Sequence, residues 1–280
     1  MAESVNNEAA IRALVRTAVE SYASGFQIRH ESEVDDPDGT LNMKIHNVFI
    51  AALGPEIQYY TALVRSLDSS LGNMLEALAV NIARLFFDVR KHVEGPLSIE
   101  QTRGIAELLE NYKRHEKRPE VADYMFLRTP PTANLQHKRH DSDYYLIDCN
   151  SGQHYLIELK IGGDLDNKKA RSEKEAILEQ FAILSNTLPP ETPITIHFAT
   201  AYNRFGEGKP WNQERVKQFF AKEELLIGND FWNFVCHSPN GYATVLSAYR
   251  ESSHLIKDAL TSIKNTYLGA ERNHQAAPQS

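Results

Sequence analysis

Two short apolar segments separated by turn residues constrain the fold of this chain more than any other feature. Residues 142–148 read SDYYLID, residues 154–160 read HYLIELK, and CNSGQ stands between them. Both segments are rich in aromatic, β-branched and leucine residues, which is typical of strands, and the link supplies turn residues. The pattern predicts a β-hairpin near the centre of the chain.

The hydrophobic pattern on either side of this hairpin has a helical period. The segments that favour helices are residues 7–23, 66–93, 96–115, 167–186, 211–220 and 241–267. Ser98 and Gln101 have the spacing of a capping box at the start of one helix, and residues 193–202 are a further strand candidate. The sequence therefore predicts an α/β fold, with a central mixed β-sheet flanked by helices and a helical N-terminal region.

One domain over residues 1–280 is the simplest organisation that these segments suggest, since no internal repeat or low-complexity linker interrupts them. Its predicted parts are a mainly helical part (1–120), a catalytic sheet core (121–205), a helical C-terminal part (206–267) and a flexible tail (268–280). A chain of this length is enough for one large domain.

The charge distribution is uneven along the chain. The net charge of −7 by itself argues against a nucleic-acid-binding protein. Residues 111–140, however, hold seven Lys or Arg and three acids, a balance of +4 that leaves −11 for the remainder. A basic segment on an acidic body is compatible with a polyanion bound in one place. An exposed loop with scattered charge is the simpler alternative.

Cysteine use and hydropathy bear on where the protein works. The two cysteines, Cys149 and Cys236, have no C-x-x-C spacing, which argues against a disulfide framework or a cysteine zinc site. This usage fits a reducing cytoplasm. The sequence has no charged-then-apolar leader and no apolar run of membrane-span length. We therefore expect a cytoplasmic protein that does not insert into membranes.

The second segment of the hairpin carries an acid and a lysine on one face. Strand side chains alternate, so Glu158 and Lys160 point the same way while their neighbours are apolar. If Ser151 and Gly152 are the two loop residues, Asp143 lies opposite Lys160 and shares this face. A turn with one residue more or fewer would break that register.

Two carboxylates and an ammonium at one edge suit a specific chemistry. Carboxylate oxygens are hard ligands, and Mg²⁺ is usually held by one or two acids with water and phosphate. The predicted ligands are Asp143 and Glu158, while Lys160 would orient the attacking water or stabilise the charged transition state. The constellation indicates phosphodiester hydrolysis. An exposed sheet face with an incidental ion pair is the alternative.

These segments resemble the PD-(D/E)xK nuclease superfamily. LIELK matches the acid-x-lysine strand of that superfamily, and SDYYLID stands where its proline–aspartate strand occurs. Ser142 replaces the proline, which leaves the choice between Asp143 and Asp141 as the first ligand open. Asp143 is preferred because an apolar strand follows it at once, whereas Asp141 lies beyond the end of the predicted ladder.

A narrower resemblance covers most of the chain. Residues 138–178, 198–220 and 225–235 are similar to type II restriction endonucleases of the TdeIII kind. The resemblance implies cleavage of double-stranded DNA with Mg²⁺, a companion DNA methyltransferase encoded nearby and a short palindromic target of the GGNCC type. Cutting a palindrome further implies a homodimer or two binding events.

The same resemblance implies roles for residues outside the hairpin. SLDSSLGNMLEALAVNIA resembles an early helix of such enzymes in which a glutamate faces the active site, and this implies Glu76 as a supporting acid. Further supporting side chains are Asp141 and Gln180. The candidates for contacts with DNA, each of which has a solvated surface position as its alternative, are Lys138, Arg139, Asn167, Lys168 and Lys169.

Two other functions remain open at this point. One keeps the fold and makes the protein a repair or junction-resolving nuclease, or an exonuclease, which would not give discrete bands from a defined plasmid. The other is a non-catalytic DNA-binding protein with a decayed site, against which the intact Asp143, Glu158 and Lys160 argue. Neither a glycine-rich cofactor loop after a strand nor a P-loop is present, so a methyltransferase and an ATP-driven translocase are disfavoured.

Overall fold

Residues 79–242 form one unit of the chain, and residues 1–78 together with 243–280 form another. The computed structural model describes residues 2–131 and 133–275, with side chains for 7–43, 46–131 and 133–269. The candidate side chains of the hairpin all belong to the first of these units, which contains the whole sheet.

A five-stranded mixed sheet organises the unit of residues 79–242. The strands are β1 (Phe87–Ser98), β2 (Leu135–Asp148), β3 (His154–Leu159), β4 (Ile194–Thr200) and β5 (Leu225–Ile227). Their order in the sheet is the order in the chain. β1 and β2 are antiparallel, as are β2 and β3, whereas β3, β4 and β5 run parallel. This architecture confirms the predicted α/β fold with a mixed sheet flanked by helices.

Eight α-helices accompany the strands. They are α1 (Ala2–Ser32), α2 (Val48–Ala51), α3 (Pro55–Ala83), α4 (Ile99–Lys113), α5 (Asn167–Thr187), α6 (Glu214–Lys217), α7 (Asn229–Val235) and α8 (Gly241–Gln275) in the described residues. Three short 3₁₀ helices cover Asn42–His46, Val121–Arg128 and Lys222–Glu224. Among the described helices, none is long and apolar enough to cross a lipid bilayer. Residues 268–275 of the predicted tail belong to α8, and 276–280 lie outside the described residues.

The helix predicted over residues 66–93 is too long. α3 ends at Ala83, and strand β1 begins at Phe87. β1 pairs with β2 from Phe87 opposite Asp148 to Ser98 opposite Leu135, with one irregularity near residue 91. Its backbone hydrogen bonds are thus made with a strand about fifty residues away, and tertiary pairing outweighs the local helical period of this segment.

The helix after β1 begins where the sequence predicts. Ser98 is the N-cap of α4, and its side chain accepts a hydrogen bond from the backbone N–H of Gln101 at 3.0 Å. The Gln101 side chain accepts from the Ser98 N–H in return at 3.1 Å. α4 and α5 pack on the sheet, and the core between them contains Leu97, Ile105, Leu109, Leu156, Phe181, Ile196 and Phe198. This packing fixes α5 across the strands that carry the candidate site.

The hairpin forms as predicted, but its register differs by two residues. Tyr144 lies opposite Ile157, so Asp143 comes level with Glu158 and not with Lys160. The cause is a longer loop: the Asp148 side chain accepts hydrogen bonds from the backbone N–H groups that follow it and ends β2 there. An even shift preserves the face, so Asp143 still points the same way as Glu158.

The unit formed by residues 1–78 and 243–280 is helical. Its core contains Phe26, Leu41, Tyr59, Ala62, Leu63 and Ile263. Three of these residues come from the N-terminal half of α3, which therefore buries one face in this unit. The opposite face of the same helical segment is exposed, as described below.

Candidate active site

Three charged side chains meet at the carboxyl end of β3. Glu158 is near the end of that strand, Lys160 follows it, and Asp143 lies on the neighbouring β2. The Lys160 ammonium forms an ion pair with Glu158 and lies 3.6 Å from Asp143 Oδ2. The backbone N–H of Leu159 donates to the same Asp143 oxygen at 3.2 Å. The structure thus brings together the three residues that the sequence singles out.

A fourth charged side chain, Glu173, completes the cluster. It lies in the second turn of α5, and its Oε1 is 3.4 Å from Lys160 Nζ. Glu173 is not among the residues predicted from the sequence. A signal exists, because α5 begins seven residues after Lys160 with Asp166 as its N-cap. Because the link between β3 and α5 is short, the second turn of α5 lies near the carboxyl end of β3.

The exposure of the cluster is graded. The side chain of Glu158 is 12% exposed, that of Lys160 is 25% exposed and that of Asp143 is 41% exposed. Glu158 therefore faces the protein interior, and Asp143 faces solvent. A ligand that approached from solution would meet the Asp143 carboxylate first.

The electrostatics of the cluster are dominated by burial and by crowding of carboxylates. Burial and the nearby Asp143 raise the pKa of Glu158 despite its contact with Lys160. Burial lowers the pKa of Lys160, but Glu158 and Asp143 outweigh this effect, so the pKa of Lys160 is raised overall. The ammonium consequently stays charged at neutral pH, which is the state that a role at an anionic phosphate requires.

The donor set fits a hydrated divalent cation. Three carboxylates and one ammonium sum to −2 when all are ionised, a charge that a divalent ion would neutralise. Mg²⁺ is commonly bound by one or two carboxylates, with waters and phosphate supplying the remaining ligands. Asp143 and Glu158 offer such a pair. Within the described residues, no three His, Cys, Asp or Glu side chains are arranged so that they could hold a metal ion by themselves. The cluster therefore differs from a structural metal site, in which protein side chains supply all the ligands.

Comparison with known proteins identifies the family. The sequence model of the HinfI type II restriction endonucleases matches residues 7–253. The chain belongs to this family. No curated protein and no solved structure matches it. The resemblance to type II restriction endonucleases is therefore confirmed, and the protein is a site-specific deoxyribonuclease that hydrolyses phosphodiester bonds in DNA.

Asp141, the alternative first carboxylate, lies apart from the cluster of this restriction endonuclease. It sits opposite His92 of β1, and its Oδ1 is 2.8 Å from His92 Nδ1. Its side chain is 87% exposed. Of the two aspartates, Asp143 is the one that contacts Lys160 and the end of β3.

The remaining predicted residues of the sheet unit occupy different surroundings. Lys138 is bound through its ammonium to Glu179 of α5 at 2.8 Å, whereas Arg139 is exposed. Gln180 is buried on α5, and its side-chain oxygen has no hydrogen-bond partner among the described residues. The predicted group formed by residues 167–169 is exposed in the first turn of α5, the same helix that carries Glu173.

Glu76 belongs to the other unit. It lies on α3, before the point at which that helix enters the unit of the sheet. Its supporting role stays a prediction, as do the roles of Gln180 and of the residues proposed to contact DNA.

A tight turn with two glycines follows Lys160. The N–H of Lys160 donates to Ala199 of β4 at 3.0 Å, and the N–H of Gly163 donates back to the Lys160 carbonyl at 3.0 Å. Gly163 has φ of +64°, and a Cβ there would lie 2.7 Å from Thr200 Cγ2. The turn therefore fixes the backbone that carries the lysine and admits no side chain at Gly163.

Substitution Gly163→Ala is expected to destabilise the protein by about 2 kcal/mol, because the left-handed φ and the contact with Thr200 both oppose a side chain. The free energy of unfolding from urea denaturation measures the effect. Gly152→Ala is the matched control, since Gly152 also has a positive φ, +70°, but no atom within 4 Å of an added Cβ. Equal losses for the two variants would contradict the steric part of the argument.

Proposed function

We propose that this restriction endonuclease cleaves both strands of DNA at a short palindromic site in a Mg²⁺-dependent reaction centred on Lys160. The observation that carries the proposal is the position of the Lys160 ammonium between Glu158 and Asp143, with Glu173 beside it. We propose that this cluster is the active site of a PD-(D/E)xK nuclease, as the resemblance in the sequence implies.

The proposed chemistry assigns a task to each side chain. Asp143 and Glu158 would hold the metal, which when bound polarises the scissile phosphate and acidifies a coordinated water. Lys160 would orient the attacking water and offset negative charge as the phosphate becomes five-coordinate. Glu173 would keep the ammonium at the end of β3 by its ion pair. The products would carry 5′-phosphate and 3′-hydroxyl ends.

The contacts with DNA are proposed from exposure and charge. Asn167, Lys168 and Lys169 lie exposed in the first turn of α5, where the helix N-terminus also attracts phosphate. Arg139 is exposed on β2 and is a second candidate for a contact with DNA. Lys138 is the weaker candidate, because its ammonium is already engaged by Glu179.

The kind of enzyme, its target and its partners are proposed from the resemblance seen in the sequence. We propose an enzyme of the TdeIII kind, with a GGNCC-like target, a homodimeric assembly and a companion DNA methyltransferase. Glu76, Asp141 and Gln180 are proposed as supporting residues. The buried, unpaired side-chain oxygen of Gln180 supports a polar role for it, because such a group is costly unless something binds it.

Plasmid cleavage tests the proposed function and separates the two aspartates. In Mg²⁺ the wild type should give discrete bands, and a chelator should abolish them. Asp143→Asn should lower the cleavage rate at least about a hundredfold, because it removes a ligand charge, whereas Asp141→Asn, which removes an exposed supporting charge outside the cluster, should lower it less than about tenfold. A smear would indicate a repair or exonuclease activity, and DNA binding without cleavage under any divalent metal would indicate a non-catalytic protein.

A further inference from the structure

Six large apolar side chains within residues 48–64 are exposed on the helical unit. We call this group the 48–64 surface, and it consists of Val48, Phe49, Leu53, Ile57, Tyr60 and Val64. Phe49 is 83% exposed, and the exposed fraction of the other five lies between 37% and 67%. Isolated apolar residues are normal on a protein surface, whereas six exposed ones within a single short segment indicate an interaction site.

The composition of this segment is that of a buried element. Ile57, Tyr60 and Val64 are spaced by three and four residues and form one face of α3. The other face, which includes Tyr59 and Leu63, is buried in the unit's own core. A helix that is apolar on both faces needs cover on both. Glu56 is the one charged residue between positions 48 and 64, and depletion of charge is characteristic of the centre of an interface.

We infer that the 48–64 surface is the contact through which two copies of this chain form a two-fold dimer. The six side chains together expose on the order of 700 Å², close to the roughly 800 Å² per partner of a standard interface. A two-fold contact needs one self-complementary patch, which an apolar surface with a single charged residue provides.

The chemistry of the reaction points to a second copy as the partner. Cutting both strands requires two hydrolytic events, and the described residues of one chain supply one cluster around Lys160. A dimer supplies two clusters related by the symmetry of a palindromic target. In this respect the inference rests on the proposed function, whereas the apolar surface is independent of it.

Sedimentation of the full chain, without DNA or metal, tests the interface. The wild type should sediment as a dimer at micromolar concentration. Phe49→Glu and Ile57→Glu should each sediment as monomers, with the dissociation constant raised at least about a hundredfold, because each places two desolvated charges in the contact. Leu85→Glu is the matched control: Leu85 is 43% exposed and outside the surface, and this variant should remain dimeric.

A charge-reversal mixture separates loss of the interface from loss of folding. Phe49→Lys should also be monomeric, and mixing it with Phe49→Glu should restore dimers, because the two variants carry opposite charges into the same contact. Misfolded variants would not recover on mixing. A monomeric wild type, or dimers that persist in both glutamate variants, would overturn the inference. If dimers behave as expected but plasmid is not cut, the proposed function fails and the interface stands.

Discussion

Replacement of Lys160 with methionine is expected to lower the rate of DNA cleavage by a factor of about 10² to 10⁴. Methionine keeps most of the length of the side chain and removes its charge. The ammonium lies within 3.6 Å of Asp143 and 3.4 Å of Glu173 and contacts Glu158. In the proposed mechanism, its loss removes the cation that offsets the charge developing on the phosphate.

Single-turnover cleavage of a plasmid in Mg²⁺ measures this loss. Binding of the same DNA in Ca²⁺ should change less than about tenfold, because Lys160 contributes at most one phosphate contact. Lys91→Met is the matched control, since Lys91 is exposed on the edge strand β1 and should not affect either measurement. Cleavage by Lys160→Met at the wild-type rate would remove Lys160 from the mechanism.

The sequence predicts those features of the fold that depend on local pattern. The capping box of Ser98, the hairpin and the strand at residues 194–200 all follow from residue type and spacing within a few positions. β1 does not, because its strand state depends on pairing with β2 across about fifty residues. The register of the hairpin is only partly predictable from local pattern. Its face follows from alternation, but its exact pairing depends on how Asp148 ends β2.

The residues of the candidate site likewise differ in whether a local sequence pattern predicts them. Glu158 and Lys160 share a face because they are two residues apart on one strand, and Asp143 joins them across one hairpin. The short link from Lys160 to α5 indicates that the second turn of this helix lies near the end of β3, but the contact of Glu173 with Lys160 also requires the angle at which α5 crosses the sheet, which the core packing sets. The engagement of Lys138 by Glu179 has the same origin, so a charge that looks free in the sequence is already paired in the fold.

A buried ion pair beside the cluster is a feature without a sequence signal. Lys174 follows Glu173 on α5, and its ammonium lies 2.7 Å from both carboxylate oxygens of Glu224. Both side chains are almost completely buried, and the ammonium also lies over the rings of Tyr124 and Phe220. Burial lowers the pKa of Lys174, and Glu224 partly offsets this effect. The pair ties the N-terminal half of α5 to the segment that precedes β5.

Substitution Lys174→Met is expected to destabilise the protein by about 3–5 kcal/mol, because it leaves the Glu224 carboxylate buried without its cation. The free energy of unfolding from urea denaturation measures the loss. Adding Glu224→Gln should recover a large part of it, since the neutral amide keeps an acceptor for the Ala221 N–H, which donates to Glu224 at 2.6 Å. Together with the Glu224→Gln single variant, the double variant gives the coupling energy of the pair and identifies the pair itself as the source of the effect.

The exposed pair between Lys217 and Glu214 provides the control, at 3.1 Å and with the Glu214 side chain 78% exposed. Lys217→Met should cost less than about 1 kcal/mol, because solvent screens the charge that remains. If Lys174→Met and Lys217→Met cost the same, burial is not what makes the inner pair important. If Lys174→Met is costly and lowers cleavage in proportion to the folded fraction alone, the pair stabilises the unit without positioning Glu173. A further loss of cleavage in fully folded protein would show that it also holds Glu173 against Lys160.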